Sequence, residues 1–413
     1  MSTTSFSLAY GTGQETFSCL STFDSFGIRE PEQVITERIF RQRLDAALAG
    51  GGLDLTQPAV VVADKTRLCG YPQYLPVLLE ALEAHGADSL RIRIYIAYGT
   101  HPPQSDDESE KAYGVVFHRY HWIQHRCDRD RFIDQGTTRR GTPVRLRADI
   151  RQASCVVTFG AISHHYFAGF GGGRKLIFPG LGEKSAIYRN HGLFIDPDHR
   201  RLTSGCRSGL LDGNPLAEDL DEYESFRSAD LAVHGILDSR GRVCDLLVGR
   251  GVEHFRQACA RHAFNCEGHP EKPYDLVVAS CGGSPKDINF IQSHKALHNA
   301  AAFVRDGGRL ILLAQCRDGI GSQTFLPWFQ LGGWDAAFDR LAENYVGNGG
   351  TALAMMAKLQ RIRISLVTAL DPDQAAMIGL EVWSPARVQE YLGRHTGSLA
   401  VIANASLVVK KTI

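Results

Sequence analysis

The stretch from Ser163 to His191 concentrates side chains able to do chemistry: His164, His165, His191, Lys175, Lys184 and the run Gly171-Gly172-Gly173. Imidazole exchanges protons and ligates metals near neutral pH. Consecutive glycines let a backbone turn sharply and let a ligand come close, since no Cβ intervenes. A strand-like run, Ala153 to Gly160, enters this stretch and a helix-like run, Glu183 to His191, leaves it. Strand, glycine loop and helix form an arrangement that can cradle a nucleotide phosphate on amide N–H groups, so the stretch reads as the floor of a cofactor site. A plain tight turn at Gly171–Gly173 is the competing reading. Lys175 sits between Arg174 and Leu176 rather than in G-x-x-x-x-G-K-[ST], which argues against a P-loop ATPase. No G-x-G-x-x-G directly follows a strand, which argues against a dinucleotide-binding dehydrogenase.

Three further groups stand out. Asp64-Lys-Thr-Arg67 follows the apolar run Ala59 to Ala63, and Gly99-Thr-His101 follows Arg91 to Ala97. Gln292 and Lys295 fall on one face near the start of a helix, where they could clamp a carboxylate. Each has a bland alternative: a local Asp64–Arg67 ion pair, structural histidines, a surface Gln–Lys pair. His118, His121 and His125 have helical spacing and read as a solvated face. The histidine spacings fit neither H-E-x-x-H nor a compact zinc pattern, which disfavours a zinc hydrolase.

The elements that must position these groups alternate between strand and helix. Short strands over Ser5–Thr22 and a helix over Pro31–Ala49, ending at Gly50-Gly51-Gly52, precede the first buried strand. Helices at Tyr74–His85 and from Asp106 to Tyr113, a hairpin at Ala229–Val248 and a helix at Val252–Phe264 complete the first half. Cys266 to Pro273 reads as a linker. A second series follows, with strands at Tyr274–Ser280, Arg309–Ala314 and Arg363–Thr368 and helices at Ile291–Phe303 and Ala336–Tyr345. This alternation predicts an α/β protein of two domains with mainly parallel sheets. Residues 1–270 would form the catalytic, cofactor-binding domain, and 271–413 a domain completing the substrate site across an interdomain cleft. Asp64–Arg67, Gly99–His101 and Ser163–Lys175 all follow strand C-termini, the edge at which open α/β sheets bind ligands.

The 413 residues suffice for two cores. Lys+Arg and Asp+Glu are 45 each, which argues against a nucleic-acid partner. No run is long enough to span a bilayer, and the first residues lack a secretory pattern. Ten scattered cysteines without a C-x-x-C pair then read as free thiols, and the expected location is cytoplasmic.

Taken together, these motifs resemble the lactate racemase family. The resemblance rests on Asp64-Lys-Thr-Arg67, Gly99-Thr-His101, His165-Tyr-Phe-Ala-Gly-Phe-Gly-Gly-Gly-Arg-Lys175, His191 sixteen residues further on, and Pro285-Lys-Asp-Ile-Asn-Phe-Ile-Gln-Ser-His-Lys-Ala296. It implies a racemase or epimerase of a 2-hydroxy acid that uses a nickel-pincer nucleotide, a pyridinium mononucleotide whose two sulfur arms and a ring carbon hold nickel. By the resemblance, His101 and His165 are the acid–base pair and His191 is the fourth nickel ligand. Lys175 is the point of covalent attachment or an ionic contact, and Asp64, Thr66, Arg67, Gly172 and Gly173 line the cofactor. Arg67, Gln292 and Lys295 hold the substrate, and cofactor-synthesising enzymes are partners during maturation. Removing the α-hydrogen as hydride while a base takes the hydroxyl proton gives a 2-keto acid, and returning the hydride to the other face inverts the carbon. Ile291 stands where lactate racemase has a tyrosine, a lost hydroxyl that weighs against lactate itself. The alternatives are an epimerase or redox enzyme acting on a sugar acid with the same cofactor, or a non-catalytic carrier of the nucleotide.

Overall fold

A computed structural model of the chain describes residues 4–31, 35–50 and 52–411. It is an α/β protein, as expected, and it divides into two compact units. One unit comprises residues 30–193 and 204–265. The other comprises 1–29, 194–203 and 266–413.

The first unit is built on a six-stranded sheet in the order Val243–Gly249, Leu231–Leu237, Cys155–Ala161, Pro58–Ala63, Arg93–Ala97, His121–Gln124. The first two strands pair antiparallel and every other neighbour is parallel. Pro58–Ala63 is buried at every position, as an apolar β-branched run in the middle of a covered parallel sheet should be. Two tyrosines end it. The Ala63 N–H donates to the Tyr71 hydroxyl (2.9 Å), which donates onward to the Phe159 carbonyl (2.8 Å). The Tyr113 hydroxyl donates to the Ala63 carbonyl (2.9 Å). With those backbone groups satisfied, the chain can leave the sheet at Asp64.

The second unit has a sheet in the order Glu381–Val382, Arg363–Val367, Val304–Leu313, Tyr274–Ser280, Leu399–Ile402, Asp24–Phe26, parallel throughout. Thr4–Tyr10 and Gly13–Cys19 form a hairpin whose Leu8, Phe17 and Cys19 join a core with Val278, Ile311 and Val401. Residues 24–26 therefore complete a sheet made otherwise from the C-terminal third, and 194–203 also belong to this unit. The expected division at residue 270 places both segments in the first domain instead.

Other expectations shift locally. The helix expected from Pro31 runs over Glu37–Ala49, capped by Thr36; residues 32–34 and Gly51 lie outside the described residues. The linker at 266–273 begins as a short strand, Glu267–Gly268, paired with Val409–Lys410. His118, His121 and His125 do not share a helix. His121 lies on an edge strand, and His125 is buried, with Nε2 3.0 Å from the Gly182 carbonyl and Nδ1 3.0 Å from Asp130. Helix Gly349–Arg361 was not foreseen. All ten cysteines are free.

Candidate active site

In the first unit the chain runs from Pro58–Ala63 to Arg93–Ala97 on one side, then returns to place Cys155–Ala161 on the other. The carboxyl ends of Pro58–Ala63 and Cys155–Ala161 therefore flank the point where strand order reverses, the usual ligand position in such sheets. Asp64 follows one of these strands and Ile162–His165 the other.

Asp64 is 2% exposed. Its Oδ1 accepts from the Thr66 amide (2.8 Å) and hydroxyl (2.6 Å), and its Oδ2 lies 2.7 Å from His101 Nδ1 and 3.9 Å from Arg67 Nη1. Burial alone would raise the Asp64 pKa. Hydrogen bonds from His101 and Thr66 and the charges of His101 and Arg67 outweigh it and hold the carboxyl down to about 2. A carboxylate that stays ionised keeps the His101 proton on Nδ1 and puts the lone pair on Nε2. Thr66 thus spends its hydroxyl on orienting Asp64. The loop is stapled on its other side, where the Lys65 amide donates to Gln104 Oε1 (3.0 Å) and Gln104 Nε2 donates to Ser109 Oγ (3.0 Å). Ser109 belongs to helix Asp106–Tyr113, which Ser105 and Glu108 begin with a reciprocal capping box. Neither Gln104 nor the tyrosine pair was singled out by sequence, although Ser105-x-x-Glu108 was a legible sign that this turn is fixed.

His165 sits on a two-stranded hairpin, Ser163–His165 with Gly169–Gly171. Its Nδ1 accepts from the amides of Phe167 (3.3 Å) and Ala168 (3.1 Å). Asn214 holds the same turn by donating to the Phe167 carbonyl (2.9 Å) while its Oδ1 caps helix Pro215–Phe226.

The glycine run does not lead straight into a helix. Gly173 opens a 3-10 turn to Leu176, and the helix Lys184–Gly192 starts only after Glu183 caps it. A Cβ on Gly172, at φ +80°, would collide with the Ala161 carbonyl, and one on Gly173, at φ +52°, with the Phe255 ring. The structure places both glycines against the protein itself, and close backbone packing is what requires them there. Arg174 is likewise structural, with Nε 2.8 Å from Asp221 and its guanidinium 4.6 Å over the Phe255 ring.

Lys175 is half-buried, and burial together with the charges of Arg67 and Arg174 pulls its pKa well below the usual lysine value. His191 lies on helix Lys184–Gly192 with Nδ1 2.8 Å from the Ile187 carbonyl. Burial, then the Lys175 charge, lower it to about 4 despite that carbonyl. His191 is accordingly a neutral imidazole with its proton on Nδ1, the form in which Nε2 ligates a metal. Among the described residues no three His, Cys, Asp or Glu side chains converge as a metal site. In the second unit, Asn289 caps helix Phe290–Ala301, and the exposed Lys295 donates through Nζ to Gln292 Oε1 (2.9 Å) one turn earlier.

Comparison with known proteins follows the same residues. The lactate racemase N-terminal domain model matches residues 32–202, and the C-terminal domain model matches 269–339. Lactate racemase from Thermoanaerobacterium thermosaccharolyticum is 30% identical over 282 residues, 66% of this chain and 62% of that protein. Lactate racemase from Lactiplantibacillus plantarum is 28% identical over 278 residues, 64% and 62% of the two chains. The match thus spans less than two thirds of each relative. Among solved structures, the lactate racemase apoprotein from T. thermosaccharolyticum shares the fold at TM-score 0.86 and 21% identity, over 99% of this chain and 100% of that one. A protein from Thermotoga maritima does so at 0.71 and 16% identity, over 94% and 100%.

Proposed function

Because the chain belongs to the lactate racemase family, we propose that it racemises or epimerises a 2-hydroxy acid with a nickel-pincer nucleotide. The observation that carries this reading is the Asp64–His101 pair at the reversal point of the sheet, in the same unit as neutral His191 and a lysine of depressed pKa. The residues fit the cofactor. His191 would ligate nickel through Nε2, and Lys175 is an amine of depressed pKa, the kind of nucleophile that an acyl arm of the cofactor could acylate. When bound, the cofactor supplies an acceptor for the α-hydrogen as hydride. The protein supplies the rest. Arg67 offers a guanidinium to the substrate carboxylate, and His101 and His165 face the hydroxyl group. Ile291 presents an aliphatic surface at the start of its helix, which favours a 2-hydroxy acid other than lactate, sugar acids included. Maturation by cofactor-synthesising enzymes and a cytoplasmic location belong to the same reading. No described helix is long and apolar enough to cross a membrane.

The test is nickel content after maturation with pincer-synthesising enzymes, followed by chiral analysis of a panel of 2-hydroxy acids. Nickel near one per chain is expected, with loss in His191→Ala. Nickel absent from both proteins, while a known racemase matures in parallel, would overturn the cofactor assignment.

A further inference from the structure

The two histidines that the proposed reaction relies on are held in opposite ways. His101 Nδ1 faces a buried carboxylate oxygen at 2.7 Å, an acceptor with no proton to give. His165 Nδ1 faces two backbone N–H groups, at 3.3 and 3.1 Å, which are donors with no lone pair to offer. Turning the His165 ring over would set a carbon-bound hydrogen against those same two amides, so the pair of donors fixes the ring as well as its tautomer. The neutral forms therefore differ: His101 carries its proton on Nδ1, and His165 carries its proton on Nε2.

We infer that His101 and His165 are not interchangeable: His101 Nε2 is the proton acceptor, and His165 Nε2–H is a fixed hydrogen-bond donor to the substrate oxygen. This rests on the proposed 2-hydroxy acid chemistry and divides its labour. In the oxidising step the hydroxyl O–H bond breaks and its proton goes to His101 Nε2. The imidazolium so formed is stabilised by Asp64, which remains a carboxylate. As the carbonyl is reduced again, the same proton returns to oxygen. His165 cannot match this role where it stands. Taking a proton at Nε2 requires one to leave that atom for Nδ1, and a protonated Nδ1 would lose both amide bonds and point a proton at two others. Full turnover through His165 as a base thus requires the 165–168 turn to open. The closed turn thus leaves the hydroxyl proton to His101 and a hydrogen bond to the same oxygen to His165.

Two measurements decide this. Long-range ¹H–¹⁵N correlation spectra of the chain without cofactor, above about pH 8 where imidazoles are neutral, should show His165 as the Nε2–H tautomer and His101 as the Nδ1–H tautomer. An Nδ1–H tautomer at His165 overturns the assignment. In the cofactor-loaded enzyme, glutamine can replace an Nε2–H donor but not a titrating base. His101→Gln should cut turnover by about 10²–10⁴-fold, and His165→Gln by about 10-fold or less, the worth of one hydrogen bond. Equal losses in the two variants overturn it too. A wild-type protein inactive on every 2-hydroxy acid would sink the proposed function, while the tautomer spectra would still decide this inference.

Discussion

Each six-stranded sheet carries a buried aspartate beyond the carboxyl end of an interior strand, and the two acids are used for different ends. Asp64 in the first unit is 2% exposed, and Asp287 in the second is 0% exposed. Asp287 Oδ2 accepts from the backbone N–H of Gly11 (2.7 Å) and of Gln315 (3.3 Å), so it ties the N-terminal hairpin to the second unit's own sheet. Asp64 turns one oxygen to its own loop and the other to a histidine. One carboxylate is absorbed by backbone, and the other leaves an imidazole facing outward with its reactive nitrogen defined. Position at a strand end makes an acid available. What it faces decides whether it does chemistry or holds the fold.

Substitutions should separate the two roles. Asp64→Asn preserves shape and the Thr66 contacts but no longer holds the His101 proton on Nδ1. Turnover of the loaded enzyme is expected to fall by about 10²–10⁴-fold, with a melting temperature near wild type, and a large stability loss instead would erase the contrast. Asp287→Ala leaves one buried and one partly buried amide without an acceptor and should cost about 2–3 kcal/mol in denaturant unfolding. A change of a few tenths of a kcal/mol there would show that Asp287 is dispensable to its unit.

The smallest effect concerns pH. Burial lowers His234 and His262 to about 3, from the 6.5 of an unfolded histidine. Above pH 6.5 neither state binds a proton at these sites. As pH falls from 6.5 toward 3 the unfolded chain takes up protons that the folded chain refuses, so stability declines through that window. His262→Phe should flatten the decline measured by thermal unfolding, and an unchanged slope would exclude His262 as a source. Asp64, held at about 2, contributes stability that persists until more acid conditions still.

Much of this was legible in the sequence where local signals sufficed. The strand at Tyr274–Ser280 is a continuous apolar run, and the helix at Asp106–Tyr113 announces itself with Ser105-x-x-Glu108; both lie where sequence places them. The polar motifs at strand ends were legible for the same reason, because a buried run that stops at Asp64 or Gly99 leaves few alternatives. What failed depended on partners distant along the chain. Residues 24–26 pair with 400–402, a contact no local pattern encodes. His125 looks like a surface histidine until Asp130 and the Gly182 carbonyl close over it. The close approach of Ala161 and Phe255 to the glycine run was hidden too, a contact that needs the third dimension. The opposed surroundings of His101 and His165 were equally hidden, since both read as histidine after a strand.

The pairing of Asp24–Phe26 with Leu399–Ile402 also bears on how the protein comes into being. On a ribosome, every segment of the unit formed by residues 30–193 and 204–265 is available once residue 265 has emerged. The other unit takes a strand from Asp24–Phe26 and cannot close its sheet until Leu399–Ile402 has been made. Its early segments must wait, with the apolar side chains of Phe6, Phe17 and Phe23 uncovered, while more than three hundred residues are added. That interval, rather than the mature fold, is when this chain is most exposed to aggregation.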